Sequence, residues 1–318
     1  MESVAMERIF AACAPGLEEL LAAELRGLGL SATATPGGAE AEGAAAVALA
    51  CVGSRLADAV SLRLFAGPAS GLAAALAEGK ARFGAGADMQ VRRRGGEATV
   101  SIDAAGGPLW KRGWRARAGA APLRETLAAA LLAFAGHDGD RPLLDPMCGS
   151  GTIAIEGALR AARRAPGAGR SFAFEAWPGR DRAADAEVRR RLATAERTPP
   201  APVWASDRNG GAVRLAGRNA EAAGVATWVR VERADAALLQ PPTGPGLVAV
   251  NPPYGSRLEG DPAAAWRALA GLLPRLRGWR LALVAPDRGL EKILGLSPSA
   301  ALSTRNGGMS CLLLKYEL

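Results

Sequence analysis

Asn251-Pro252-Pro253-Tyr254 follows the apolar run LVAV, so a carboxamide, two rigid residues and an aromatic ring stand where a buried strand would meet solvent. The Asn251 side-chain oxygen and the Pro252 carbonyl can accept the two hydrogens of a planar amine, which turns its lone pair toward an electrophile. Tyr254 can stack on the attached base. Pro252 and Pro253 stiffen the loop, so little entropy is lost when it binds. The chemistry suggested is group transfer to an exocyclic amine.

A second constellation supplies a place for a nucleotide-like cofactor. LLDPMCGSGT, ending at Thr152, reads as a strand, a glycine turn and a helix start. Gly149 and Gly151 let the backbone turn tightly beside a ligand, and Asp145 ends the strand. The lysine of a phosphate-binding GxxxxGK[ST] loop is absent, and GSGTIAIEG lacks the spacing of a dinucleotide GxGxxG turn. Ser206-Asp207 ends the next apolar stretch, where a carboxylate can grip a ribose, and Asp235 ends the third, within reach of an adenine amine. Cys148 lies inside the turn, facing the cofactor, so a covalent thiolate mechanism is not expected. His137, in GHDGDR, is expected to be a solvated loop residue without a catalytic role.

These residues need a scaffold of alternating strands and helices. Pro122 is expected to open a helix in which Leu123, Leu127, Leu131 and Phe134 share a face. PLLD, VWASD, WVRVERAD, LVAVNPPYG and WRLALVAP then read as strands, each but the last leading into helical or polar sequence, and MSCLLLKYEL as a terminal strand. Near-continuous apolar strands in β–α alternation predict a doubly wound parallel sheet covered on both faces. Before it, Leu17, Leu20, Leu21, Leu25 and Leu28 predict a helix with Glu18, Glu19 and Glu24 on its wet side. Residues 33–46 read as turns between short strands. MQVRRR and ATVSID read as a hairpin around Gly95-Gly96. The expected organisation is a small α+β module over residues 1–105, a linker over 106–121 and the α/β domain over 122–318. Residues 165–202 read as an irregular insertion whose Phe172, Phe174 and Trp177, among arginines, can stack on RNA.

Composition narrows the class of partner. The chain has 318 residues, a formal charge of +8 and a pI near 10.0, which favour a polyanion. Lysine occurs only at Lys80, Lys111, Lys292 and Lys315, so arginine carries the positive charge. Arg92, Arg93, Arg94, Lys111, Arg112, Arg115 and Arg117 are candidate phosphate contacts around the expected domain junction. Cys13, Cys51, Cys148 and Cys311 lack CxxC spacing, which argues against a zinc ribbon or a disulfide scaffold and suits a reducing cytoplasm. No bound metal, membrane span or export signal is expected, and a monomer is the default.

DPMCGSGT, Ser206-Asp207, Ala234-Asp235 and NPPYG resemble the motifs of class I S-adenosylmethionine-dependent methyltransferases acting on exocyclic amines. FAACAPGLEELLAAEL, KRGWRARAGAAPLRETLAAAL, RSFAFEAWP and NGGMSCLLLKYEL resemble the THUMP-associated RNA guanine-N2 methyltransferases, including those of bacterial 23S ribosomal RNA. The resemblance spans the chain, densely from Lys111 and weakly over residues 31–89. It implies a Rossmann-like methyltransferase sheet with a shortened N-terminal ferredoxin-like or THUMP-like module. It implies S-adenosyl-L-methionine as cofactor, with Asp145, Pro146, Cys148, Gly149, Gly151 and Thr152 around it. Asp207 with Arg208 would hold the ribose, Asp235 with Ala236 the adenine, and Asn251, Pro252, Pro253 and Tyr254 the target amine. The implied partner is RNA, ribosomal favoured over transfer RNA; adenine N6 is served equally well by NPPY, and a non-catalytic RNA-binding assembly factor is the alternative from another class. Asn209 stands where the family has a second acid.

Overall fold

A computed structural model describes residues 6–84, 87–115, 123–253, 262–286 and 289–318. The chain divides into two compact units, the first formed by Met1–Trp110 with Ala165–Ala195 and the second by Lys111–Arg164 with Glu196–Leu318.

In the first unit, β1 (Met6–Ala12), α1 (Glu18–Gly27), β2 (Ser31–Thr35), β3 (Gly38–Ala44), α2 (Ala46–Gly53) and β4 (Ala59–Pro68) are followed by α3 (Leu72–Phe83), β5 (Met89–Arg94) and β6 (Glu97–Asp103). The strands form one antiparallel sheet in the order β2-β3-β1-β4-β6-β5. Leu17, Leu21 and Leu25 repeat every four residues and are fully buried, which fixes the inward face of α1. Gly95 and Gly96 both take positive φ, +56° and +86°, the turn that a two-residue hairpin between β5 and β6 requires. Residues 33–46 are mostly strand and not turns: β2 and β3 form a hairpin around Pro36-Gly37, their alternation masked because alanine fills the inward positions. Glu24 is not on the wet side; it accepts hydrogen bonds from Ser54 Oγ (2.6 Å), Arg55 N (3.0 Å) and Leu56 N (3.1 Å), serving backbone groups just past α2.

The insertion belongs to this unit and carries a helix, α6 (Arg182–Thr194). Residues 165–195 therefore group with residues 1–110 and not with the 122–318 stretch to which the sequence assigned them. Gly167 N donates to Val52 O (2.9 Å) and Phe174 N to Ala104 O (3.0 Å), which stitch the segment to the module. Phe172 and Phe174 are buried, their rings stacked 5.8 Å apart, so they are core residues and offer no face to RNA. The nearby arginines are also engaged: Arg180 pairs with Glu7 and Asp185, Arg189 with Glu175, and Arg190 with Glu187.

The second unit contains α4 (Glu125–Phe134), β7 (Leu143–Asp145), α5 (Thr152–Ala161), β8 (Val203–Asp207), α7 (Gly210–Ala222), β9 (Val229–Arg233), β10 (Leu247–Val250), α8 (Pro262–Leu272), β11 (Arg280–Ala285), β12 (Ala300–Asn306) and β13 (Met309–Glu317). Its sheet runs β12-β13-β11-β10-β7-β8-β9. The strands from β7 to β11 pair in parallel, and β13 lies antiparallel to both β11 and β12. Every residue of β10 is buried, as expected of a strand covered on both faces. Trp266, Leu269 and Leu272 of α8 close one side of the core over Val248, Val250, Leu281 and Leu283. The order of the strands reverses at β7, whose neighbours are β8 and β10, so a crevice opens at its carboxyl end.

His137 is buried, not solvated. Burial, then the Arg160 charge, lowers its imidazole pKa to about 4, and Arg160 Nε holds its carbonyl (2.6 Å). Among the described residues, no helix is long and apolar enough to cross a membrane.

Candidate active site

The turn after β7 is held at several backbone points. Cys148 N donates to Ser206 O (2.9 Å), Gly151 N to Cys148 O (2.7 Å), and Asn219 Nδ2 of α7 to Ser150 O (2.9 Å). Gly149 and Gly151 have φ of +53° and +83°, where a side chain is strained. Their surroundings differ. A Cβ on Gly151 would stand 3.1 Å from the Ala216 Cβ on α7, whereas one on Gly149 would meet nothing within 4 Å. Gly151 thus serves helix packing, and Gly149 leaves open space beside the turn.

The three strand-end acids differ in setting. Asp207 accepts from Gly149 N (3.0 Å) through one oxygen and from Asn209 N (2.8 Å) through the other, tying β8 to the turn. Asp235 is exposed; one of its oxygens accepts from Ala237 N (2.9 Å) and caps the short turn of helix over residues 236–238. Asp145 is buried beneath the turn and, among the described residues, has only the Met147 N–H (3.4 Å) directed at it. Burial, reinforced by the charge of Asp207 and opposed by that N–H, pushes its carboxyl well above the usual carboxylate range. Burial and the same two acids push the Cys148 thiol far up, so it is no source of thiolate at neutral pH.

Pro146, Met147, Asp207, Arg208, Asp235, Ala236, Pro253, Ala265 and Ala268 line a cleft at the carboxyl ends of the strands. Six of these were expected from sequence. Met147 and the α8 wall of Ala265 and Ala268 were not, although small residues three apart on a helix are the signal of a close approach. Asn219 was also missed; a fully buried asparagine in the middle of α7 has no sequence mark beyond its polarity. Asn209 caps α7, accepting from Gly211 N (2.8 Å) and Ala212 N (3.4 Å), which explains a non-acidic residue there.

Asn251 stands at the end of β10 with Pro252 buried and Pro253 on the cleft wall. Its Oδ1 is buried and has no hydrogen-bond partner among the described residues. A buried acceptor without a donor costs free energy that a ligand amine would recover. Tyr254 lies outside the described residues.

The expected phosphate contacts separate into two groups. Arg92, Arg93 and Arg94 are exposed on β5, an edge strand. Arg112 is corrected: its side chain is 3% exposed and pairs with the fully buried Glu156 at 3.4 Å, so it cannot reach a phosphate. Arg115 is likewise turned inward, paired with Glu125 at 3.1 Å and donating to Leu123 O (2.8 Å) and Thr152 Oγ1 (2.9 Å). Lys111 is exposed and has a partner of its own, and Arg117 lies outside the described residues.

Comparison with known proteins agrees with this geometry. Residues 112–315 match the family described as RMKL-like, methyltransferase domain, and residues 8–61 match the RlmL ferredoxin-like domain. A Synechocystis sp. protein, slr0064, named as a candidate RNA methyltransferase, is 37% identical over 224 residues. That match covers 69% of this chain, and the chain spans 58% of the relative's length. Two solved structures share the fold over 98% of this chain. One is SMU.472, described as a methyltransferase complexed with SAH (TM-score 0.86, 23% identity, 98% of that chain). The other is a Listeria monocytogenes protein described as a predicted N6-adenine-specific DNA methylase (TM-score 0.87, 24% identity, 96% of that chain). With the family model spanning most of its length, the chain belongs to the RMKL-like methyltransferase domain family.

Proposed function

We propose that this protein is an S-adenosylmethionine-dependent RNA methyltransferase that modifies an exocyclic amine, guanine N2 of 23S ribosomal RNA being the favoured target. The observation that carries the reading is the buried Asn251 Oδ1, without a hydrogen-bond partner among the described residues, two residues before Pro253 in a cleft that also contains Asp207 and Asp235. The residues suit the cofactor. Open space beside Gly149 leaves room for a ligand against the turn, and Asp207 and Asp235 follow the neighbouring strands β8 and β9 and line the same cleft. When bound, S-adenosylmethionine supplies a methyl group already activated on a sulfonium.

The protein's own work is alignment. Asn251 Oδ1 and the Pro252 carbonyl accept the amine hydrogens and aim the lone pair along the line of displacement, an effect worth about 7–11 kcal/mol when fully realised. No general base is needed to start the reaction, and the methylated amine sheds its proton to water or to the same carbonyl. The name of the Synechocystis relative supports RNA as substrate, and the basic balance of the chain is consistent with it.

The test supplies the purified protein and labelled cofactor to unmodified ribosomal and transfer RNA separately, then digests each to nucleosides for mass spectrometry. N2-methylguanosine in the ribosomal pool is expected. N2-methylguanosine in transfer RNA alone would move the substrate, and N6-methyladenosine would replace guanine while keeping the role of Asn251. Cofactor binding without methylation of either RNA would favour the assembly-factor alternative.

A further inference from the structure

Arg115 and Thr152 were expected to meet different ligands, the first RNA and the second the cofactor. They meet each other. Arg115 Nη2 donates to Thr152 Oγ1 at 2.9 Å and to Leu123 O at 2.8 Å, while its Nε pairs with Glu125 at 3.1 Å. Its side chain is 14% exposed and that of Glu125 only 3%. Thr152 is the first residue of α5, directly after the glycine turn, and its Oγ1 lies 3.3 Å from Ser150 Oγ inside that turn. Close by, Arg112 pairs with Glu156 of α5, so two arginines of the 111–115 segment grip the first turns of this helix.

A guanidinium has donors and no acceptor. Thr152 Oγ1 must therefore accept from Arg115, and it stands 3.3 Å from Ser150 Oγ, where either hydroxyl can donate to the other. The Ser150 carbonyl is held in turn by Asn219 Nδ2 of α7. The buried Glu125 adds an ion pair at Arg115 Nε, which helps to hold the guanidinium against the start of α5.

We propose that Arg115 is a positioning residue for the cofactor turn, acting through Thr152 and Ser150 to set the turn's conformation. This rests on the cofactor occupying the cleft beside the turn. Arg115 is thereby assigned to cofactor binding and removed from RNA contact.

The experiment is a double-variant cycle on the full chain, with S-adenosylhomocysteine affinity read by calorimetry. Arg115→Lys keeps the charge beside Glu125 but offers one nitrogen in place of the planar fork, and Thr152→Val keeps the shape but removes the hydroxyl. Each is expected to weaken binding about 10-fold, the size of one hydrogen bond to a charged group, with the pair together no worse than either alone. The KM for cofactor should rise while kcat at saturating cofactor and the KM for RNA stay constant, with thermal midpoints checked to confirm folding. Independent, multiplicative losses would overturn the proposal. So would an Arg115→Lys variant that loses RNA affinity and keeps the cofactor. Asp207→Asn tests the underlying reading separately: if it alone abolishes binding while Arg115→Lys leaves it intact, the turn holds the cofactor and the Arg115 link is wrong.

Discussion

Asp145 shows how one residue can be costly to the fold and useful to the site. Its carboxyl is buried with one weak backbone donor, and Asp207 adds a like charge nearby. The folded-state pKa is raised, so the protonated form is favoured in the folded protein. Stability from this group is fully present below the unfolded value, about 3.9, and is lost as pH rises through the folded value. At neutral pH the unliganded protein therefore bears the cost of a buried charge or the uptake of a proton. Asp145→Asn is expected to raise the thermal midpoint of the cofactor-free protein, with the gain over wild type growing above about pH 4. Differential scanning fluorimetry across pH 4 to 8 checks this; a gain that does not change with pH would contradict it.

At the scale of elements, the glycine turn makes a sharper prediction because its two glycines differ in surroundings. Gly151→Ala forces a side chain into positive φ against α7 and is expected to cost about 1–3 kcal/mol of stability. Gly149→Ala bears the φ strain alone, about 1–2 kcal/mol, but fills the ligand side and should lose cofactor affinity out of proportion to stability. Denaturant unfolding beside calorimetric titration separates the two. The turn and the strands around it were legible in sequence because LLD, VWASD and LVAV are apolar runs ending in polar residues, a local pattern. Strand β12 was not, since ALSTRN is an edge strand whose alternating burial leaves no apolar run. Phe172 and Phe174 were misread as RNA-stacking for a physical reason: aromatic rings among arginines look alike whether the arginines stack on core rings or wait for a ligand. Arg170 and Arg189 in fact lie over the Phe172 ring. Phe174→Ala is therefore expected to destabilise the first unit by about 3–5 kcal/mol, seen as a lowered unfolding midpoint, without changing the salt dependence of RNA binding. Arg112 and Arg115 were misjudged likewise, because their acidic partners Glu156 and Glu125 lie on other elements and only folding brings them together.

For the whole molecule, the charge of +8 counts many arginines already paired inside the protein. Arg92, Arg93 and Arg94 on β5 are the exposed arginines among the expected RNA contacts. Replacing all three with alanine should reduce the slope of log affinity against log salt by about 2 for a single-stranded target. An unchanged slope in filter binding from 50 to 200 mM salt would exclude β5 from the RNA interface. The alternation of β and α elements makes the carboxyl ends of β7, β8, β9 and β10 the expected place for a site, while the membership of residues 165–195 in the first unit has no local mark in the sequence. The central claim is that Asn251 presents an amine and does not merely support the fold. The most direct measurement compares methyl incorporation into RNA by wild type and Asn251→Ala at saturating cofactor, with S-adenosylhomocysteine affinity measured on both. The account predicts a fall in kcat of at least about 100-fold with cofactor affinity within a few-fold of wild type. Transfer that survives in Asn251→Ala, or a folded variant that loses the cofactor as well, would contradict it.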